Sequence, residues 1–499
     1  MELIERIKQA PKAKWIKFAV VTLLYILWVI WVENLWLLLL TPFIFDLYIS
    51  KYISWGFWKK SKNKTVKKVM EWVDAILFAL IAVYFINIFF FQNYQIPTSS
   101  LEKSLLVGDF LFVGKYNYGA RVPNTPLSFP LAQHTLPILD CKSYIDWPQW
   151  DYKRLKGPGT VQRYDIVVFN FPAGDTVALN RQQNDYYSIC SDVGVSFYVD
   201  RTGMYPNPQN VPFEQIMNLG REYVLKNESE FGKIVYRPVD RRENYVKRCV
   251  GLPGDTLQII NAQLFINGAK QKNPKKMQLN YIVETSSQIS EQNFRKLNIS
   301  IEDREYWRKL NRGDQEDMLR TAKFQPDSSG FYNSIFYLLP LTEESLDKIK
   351  NFRFVKKVVV APNYSKLDTY PLFYDKGWTV DNYGPIWIPK KGATITLTKD
   401  NYRIYERVIV NYENNTFATK DGKFFINDEQ TDSYTFKMDY YWMMGDNRHN
   451  SADSRMWGFV PEDHIVGKPL FVWLSLDKDR GWFSGKIRWS RIFTSVKAQ

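Results

Sequence analysis

Apolar and polar positions divide this chain near residue 92. Phe18–Val32 is uncharged and almost wholly apolar, Leu35–Phe45 follows after Glu33-Asn34, and Ala75–Phe91 is a third run with one Asn inside it. A bilayer crossing takes about 20 helical residues. The third run therefore predicts a span over 72–92, with Trp72, Val73, Asp74 and Gln92 at its edges. Between the second and third runs, Lys51–Val69 carries seven lysines and no acid, the mark of a cytoplasmic loop. Everything after Gln92 is then delivered to the far side. Residues 1–50 admit two readings, a hairpin turning at Glu33-Asn34 or one tilted span. Each hairpin arm would have about 15 residues, roughly 22 Å, which is thin for a crossing and favours the single span. No small-x-small cleavage site follows either early run, so neither is read as a removed leader.

Beyond Gln92 the pattern changes to short β-forming runs. Asp109–Lys115, Asp165–Phe171, Tyr245–Val250, Thr256–Ile266, Lys356–Ala361, Tyr405–Tyr412 and Gly467–Leu476 are punctuated by Gly, Pro, Asn and Asp. They predict a mostly antiparallel β-domain. Within it, ISEQNFRKL, IEDREYWRKL and LTEESLDKIKNF between about 285 and 350 read as helices, with acids early and bases late. The predicted division is a membrane region (1–50), a basic loop (51–71), a transmembrane helix (72–92), a β-domain in two parts (93–284 and 401–499) and an inserted, partly helical α+β subdomain (285–400).

Charge sharpens this picture. The net +14 would suit a nucleic-acid binder, but residues 1–71 alone hold net +7, half of it in the most apolar seventh of the chain. The basic excess is thus largely a topology signal, and no nucleic-acid partner is expected. Mean hydropathy of −0.33 excludes a polytopic membrane protein. Cys141, Cys190 and Cys249 lack metal-ligand spacing, though an oxidising compartment would permit a Cys141–Cys190 bridge. His134, His449 and His464 are too scattered for a metal site. No P-loop and no dinucleotide fingerprint occurs, so no metal or cofactor is expected.

Three segments concentrate chemistry. Gln95-Ile96-Pro97-Thr98-Ser99-Ser100-Leu101 places hydroxyls directly after the third apolar run. Tyr245-Val246-Lys247-Arg248-Cys249-Val250 ends a strand in a lysine before the tight turn Gly251-Leu252-Pro253-Gly254-Asp255. Met444-Gly445-Asp446-Asn447-Arg448-His449-Asn450-Ser451-Ala452-Asp453-Ser454-Arg455 is a dense polar cluster between apolar strands.

Together with Arg163-Tyr164-Asp165-Ile166-Val167-Val168-Phe169, these segments resemble bacterial type I signal peptidase, a membrane-bound Ser–Lys endopeptidase, here in a long form with large insertions. The resemblance covers about 55–60 residues in the family's order. It implies a signal-peptidase-type β-domain at the cytoplasmic (inner) membrane, on its periplasmic or extracytoplasmic side. It also implies cleavage of signal peptides with small residues at −1 and −3, with the lipid bilayer and the protein translocation machinery as partners. By position, Ser100 is the nucleophile and Lys247 its neutral general base. The Ser100 N–H and the Thr98 hydroxyl form the oxyanion hole, Thr98 standing where the family usually has Ser. Ser451 would bond the Lys247 amine, while Asp453 and Arg455 stiffen the wall behind it. Asp446 and Arg448 would brace the turn. Ile96, Pro97, Leu101, Leu105, Leu111, Val168, Tyr245 and Val246 match positions that line the substrate pockets. Lys103 replaces the usual Pro, and His449 replaces an acid at a position that is not catalytic in the family.

Two rivals remain. A self-cleaving Ser–Lys regulator fits poorly with the membrane runs. An inactive membrane-tethered β-module for binding or envelope assembly fits poorly with an intact Ser100, Lys247, Thr98, Ser451 and Asp453. The run Trp482–Phe493 interleaves aromatic and basic residues, as either a lipid-interface anchor or a packed tail.

Overall fold

The computed structural model describes residues 3–496 apart from 137, 138, 140, 208, 209, 302, 309–313, 327, 329, 331, 333, 363–368, 374 and 375. Two helices are long and apolar enough to cross a membrane, α1 (Lys12–Val32) and α2 (Lys64–Phe89). Pro11 stands just before α1, and Asn63 caps α2 by accepting the Thr65 N–H.

Residues 35–50 fold back along α1, which corrects the favoured single tilted span. Glu33 turns the chain in the left-handed region (φ 54°), and Phe45 packs edge-on against Trp15 and Phe18 near the start of α1. The returning arm opens with six 3-10 residues, Leu35–Leu40. At about 2.0 Å rise each, against 1.5 Å in an α-helix, they stretch the arm to roughly 25 Å. Composition alone does not reveal that gain. Asp46, near the end of the arm, accepts from the Tyr52 N–H (2.7 Å) and Trp55 Nε1 (2.9 Å). The two basic flanks, before α1 and after Ser50, thus share one end. The far ends of α1 and α2 share the other, where Val32 and Phe89 pack with Ala120, Val122 and Leu155 of the β-domain.

That domain is built on a curled antiparallel sheet. Its strands are β1 (Phe91–Gln95), β2 (Asp109–Gly114), β3 (Ile166–Asn170), β4 (Asn244–Gly251), β5 (Tyr440–Met444), β6 (Val460–Pro461) and β7 (Ile465–Ser475). They pair in the order β1-β2-β7-β3-β4-β5-β6, and the short strand Thr494–Ser495 pairs with β7 off that path. Register shifts interrupt the β2–β7, β7–β3 and β4–β5 pairings, and such bulges add twist and bend a sheet round on itself. Two strand edges beside Ser100 stay open among the described residues. β1 pairs only with β2, and Asn244–Lys247 of β4 pair only with β3, because β5 takes up pairing at Arg248.

The sequence between β4 and β5 forms further small sheets. Thr256–Ile260 and Gln263–Ile266 make a hairpin joined by Tyr383–Trp387. Leu279–Thr285, Ile335–Leu341, Val355–Val360 and Glu305–Arg308 form a four-stranded sheet carrying helices Glu291–Lys296 and Glu343–Lys350. Ser290 and Thr342 cap those helices by accepting from the Asn293 and Ser345 N–H groups, the signature legible in ISEQN and LTEES.

Several elements differ from expectation. Tyr405–Tyr412 is helical, within Tyr402–Arg407 and Val408–Tyr412. Ile404, Tyr405, Val408, Ile409 and Tyr412 are buried together, a helical stripe that outweighs β-branched composition. IEDREYWRKL is not a helix over Glu305–Arg308, which pairs with Ile335–Leu338. Residues 302, 309 and 310 of that segment lie outside the described ones. A helix pair, Tyr186–Thr202 and Phe213–Lys226, was not foreseen. It packs backbone to backbone, since a Cβ on Gly194 or Gly220 would collide with the Ile216 or Cys190 carbonyl. Cys141, Cys190 and Cys249 are all unpaired, with Cys141 exposed and the other two buried, so no Cys141–Cys190 bridge forms.

Candidate active site

The turn after β1 carries the nucleophile candidate. Ile96 anchors it from the core, and Ser99–Leu101 make a single 3-10 turn that presents Ser100, 8% exposed. The turn is held from both sides. Leu101 is buried in the core, and the Asn447 N–H donates to the Ser100 carbonyl at 3.1 Å. Asn447 and Asn450 side-chain amides reach the Ser99 carbonyl (3.4 Å) and hydroxyl (3.3 Å). At the start of a helical turn, N–H groups have no carbonyl behind them, which leaves the Ser100 N–H free to meet an incoming oxygen.

Lys247, 3% exposed on the open half of β4, places Nζ 2.6 Å from Ser100 Oγ. Burial brings its pKa down to about 8; Asp453 and Asp446 raise it while Arg455 lowers it. An amine in that range is uncharged often enough to take a proton near neutral pH.

Behind the lysine lie two buried ion pairs. Asp453 Oδ2 meets Arg455 Nη2 at 2.8 Å, and its Oδ1 accepts from Arg455 Nε at 2.9 Å. Asp453 also accepts the Gly445 N–H at 3.1 Å and caps the short helix Ser454–Trp457. Burial alone would raise the Asp453 carboxyl, but the Arg455 charge and these hydrogen bonds hold it below the usual range. Arg455 donates onward to the Arg448 and Val380 carbonyls. The second pair is bidentate, Arg248 to Asp446 at 2.7 and 2.8 Å, with Ser104 Oγ donating to the same carboxylate at 2.6 Å. It ties the segment carrying Ser100, β4 and the polar loop together.

The remaining assigned residues divide. Ile96, Leu101, Leu105, Leu111 and Val168 are buried in one cluster beneath the turn, with Val246 against it. Tyr245 belongs to another, stacked on Phe171 and edge-on to Trp457. Pro97 and Thr98 are exposed. Ser451 corrects an expectation. It is 6% exposed and its Oγ has no hydrogen-bond partner, so the bond to the Lys247 amine is not formed while that amine sits on Ser100. His449 has both ring nitrogens engaged, by the Asn280 N–H (3.1 Å) and Asp381 Oδ1 (2.9 Å). It fastens the inserted sheet to the polar loop. Arg448 is buried, yet its Nε has no partner, and burial beside Arg455 lowers its pKa to about 10. Sequence reasoning missed Asn447 and Gly445. The density of polar residues around them was the signal available.

Gly445 has a steric role. A Cβ there would overlap Ser451 Oγ and lie 2.6 Å from the Ser100 carbonyl oxygen. Gly445→Ala is therefore expected to push the Ser100 turn aside and lower kcat/KM by about 10²-fold, the cost of roughly 1 Å of misplacement. Steady-state kinetics beside a circular dichroism spectrum check this; unchanged kinetics would mean the turn absorbs the methyl group.

A family model described as "Signal peptidase, peptidase S26" matches residues 69–309 and 388–474. The gap between the stretches contains Ile335–Leu341 and Val355–Val360 of the inserted sheet. Signal peptidase I of Buchnera aphidicola subsp. Acyrthosiphon pisum (strain APS) is 23% identical over 443 residues, 87% of this chain and 83% of its own length. Signal peptidase I of Haemophilus influenzae (strain ATCC 51907 / DSM 11121 / KW20 / Rd) is 23% identical over 439 residues, 88% and 79% of the two chains. The protein of that name from Aquifex aeolicus (strain VF5) is 58% identical over a 36-residue stretch, 7% of this chain and 14% of its own. The β-sheet domain and these matches define a serine endopeptidase. The chain belongs to the signal peptidase family, peptidase S26.

Proposed function

We infer that this chain is a membrane-bound endopeptidase that removes N-terminal signal peptides from exported preproteins, with Ser100 as nucleophile and neutral Lys247 as general base. The observation that carries this reading is the buried 2.6 Å contact between Lys247 Nζ and Ser100 Oγ. An inert β-module has no use for a desolvated lysine aimed at a serine hydroxyl.

In the reaction, Ser100 Oγ attacks the carbonyl carbon of residue −1 as its proton passes to Lys247 Nζ. The Ser100 N–H and the Thr98 hydroxyl receive the oxyanion. The C–N bond breaks, Lys247 returns the proton to the leaving amine, and an ester joins the signal peptide to Ser100. Water, deprotonated by Lys247, then hydrolyses that ester and frees Ser100. Ser451, whose Oγ is unpartnered, is available to the ammonium between these steps, and Asp453 and Arg455 hold the wall behind it. The substrate strand adds between the two open edges, Phe91–Gln95 and Asn244–Lys247. Ile96, Pro97, Leu101, Leu105, Leu111, Val168, Tyr245 and Val246 bound pockets for small residues at −1 and −3, each methylene of misfit being worth about 1–3 kcal/mol.

α1, the returning arm and α2 lie in the bilayer. The lysines of 51–68 stay on the cytoplasmic side, and the β-domain is extracytoplasmic. At the far terminus Trp482, Phe483, Trp489 and Phe493 are exposed while Arg488 and Arg491 reach inward to Asp477 and Asp109, so aromatic rings face outward as an interfacial anchor does.

The test is cleavage of a preprotein by the full chain across pH. The active form is the free amine with a folded pKa of about 8, so kcat/KM should climb tenfold per pH unit below that value and level off above it. A flat profile from pH 6 to 9, or no cleavage, would overturn the reading.

A further inference from the structure

The two open strand edges do not end at the catalytic pair. Both run away from it into a cavity of about 300 Å³ where the β-domain meets the end of α2. Asn93 and Tyr94 of β1 line one wall, and Asn244 of β4 lines another. Tyr84, Asn87 and Ile88 of α2 form its membrane side. Three cations line it, Lys115, Arg121 and Arg241, against a single carboxylate, Asp240.

Those charges are not equivalent. Arg121 donates to Asn170 Oδ1 at 2.7 Å. Arg241 is bound to Thr125 Oγ1 at 2.6 Å and pairs with Asp240 at 3.9 Å. Asp240 accepts the Thr125 N–H and hydroxyl, both at 2.9 Å. Lys115 follows β2, and its N–H donates to the Phe90 carbonyl where α2 gives way to β1. Its amine makes no hydrogen bond and no ion pair among the described residues. Burial, then Arg121 and Arg241, bring that amine down to about 7 against the opposing pull of Asp240. An anion in the cavity would offset all three costs.

Resting on the reading above, we propose that this cavity is a subsite for the signal peptide upstream of −3, and that Lys115 selects a carboxylate there. Position follows from strand geometry. Asn244 lies three residues before Lys247, about 10 Å along an extended strand, so a paired substrate brings residues near −4 to −6 into the cavity. A lipid headgroup is the competing occupant. The substrate is favoured because the cavity continues both open edges and is lined by strand residues, Asn93 and Asn244, that a paired peptide must pass.

The experiment uses the full chain in detergent and one preprotein carrying Ala, Glu or Lys singly at −4, −5 and −6. The readout is the ratio of kcat/KM for Glu over Ala within each enzyme, which cancels any loss of folded protein. Wild type should give about 10 at one of these positions and a value below 1 for Lys over Ala. Lys115→Met and Lys115→Gln should each bring the Glu ratio to about 1, and Lys115→Arg should retain it. No Glu preference in wild type, or the same preference in Lys115→Met, overturns the subsite. Repeating the assay in vesicles with and without anionic lipid separates the rival. If Lys115→Met changes only the response to anionic lipid, the cavity takes a headgroup and the proposal falls. If wild type cleaves no member of the series, the underlying function fails and takes the inference with it; cleavage of the Ala member without a Glu preference sinks the inference alone.

Discussion

Ser100→Ala and Lys247→Met should each reduce cleavage of a preprotein by about 10⁴-fold or more, to the background left by binding alone, and the double variant should be no worse. Groups that act as one unit are lost together, so their effects do not add. Lys247→Met is the informative replacement. It keeps the length and the apolar stem in a site where the residue is 3% exposed, so folding is undisturbed while the base is gone. Lys247→Arg separates two roles. Guanidinium stays charged at any working pH, so it preserves a positive charge near the oxyanion but cannot accept the Ser100 proton. If Lys247 works as the base, Lys247→Arg is as inactive as Lys247→Met. If it serves only as a charge, Lys247→Arg keeps substantial activity. Single-turnover kinetics of all four variants, with circular dichroism to verify folding, would decide the matter. Full cleavage by Ser100→Ala would remove the nucleophile from the scheme altogether.

The parts legible in sequence are those whose local chemistry is unusual. A lysine in the strand that runs into Gly-Leu-Pro-Gly-Asp, and a loop with Asp446, Arg448, Asp453 and Arg455 between apolar strands, have few readings apart from a site. The strand runs of the central sheet were legible for the same local reason, since β2, β3, β4 and β7 each carry strong β-forming composition. Non-local features stayed hidden. Tyr405–Tyr412 has strand composition but a helical burial stripe, and only its partners decide between them. Glu305–Arg308 becomes a strand because Ile335–Leu338 is there to pair with it. The helix pair at 186–226 depends on Gly194 and Gly220 facing the opposite backbone, a fit that neither segment reveals alone. The return of residues 35–50 rests on a 3-10 stretch whose extra reach composition does not encode.

The small sheets between β4 and β5 are likewise joined to the site by contacts between distant residues. Gln278 donates its N–H to the Asp446 carbonyl at 2.8 Å and accepts the Arg448 N–H at 3.0 Å, while His449 holds Asn280 and Asp381. Lys103, at a left-handed φ of 71° beside the nucleophile turn, donates to the Asn298 carbonyl. This region therefore braces both the turn that carries Ser100 and the loop behind Lys247, so its removal would loosen the two together.

The largest effect on stability should come from Arg455→Ala. It strands Asp453, which is 0% exposed, as a buried carboxylate without its counter-ion, and breaking such a pair on one side costs about 3–5 kcal/mol. It also removes donors to the Arg448 and Val380 carbonyls. Asp453→Leu with Arg455→Met removes both charges and should recover much of that loss, because two well-packed apolar groups are often no worse than a buried ion pair. Urea unfolding of the full chain in detergent measures the difference. A double variant as unstable as Arg455→Ala would mean that the hydrogen bonds to Gly445, Arg448 and Val380, not the stranded charge, carry the cost. The sign with pH follows from the depressed Asp453 carboxyl. Its stabilisation is present above the unfolded value of about 3.9 and is lost as pH falls through the lower folded one. The gap between wild type and the double variant should accordingly narrow only in strong acid. Cleavage separates the chemical role from the structural one, since Asp453 reaches the catalytic pair through Gly445 and through the field at Lys247. The double variant removes Asp453, the larger charge favouring the ammonium, together with the opposing Arg455, and leaves Asp446 in place. The midpoint of the rising pH limb should therefore move only slightly below about 8 even where the fold is recovered. A midpoint that stays in place would reduce the Asp453–Arg455 pair to a brace.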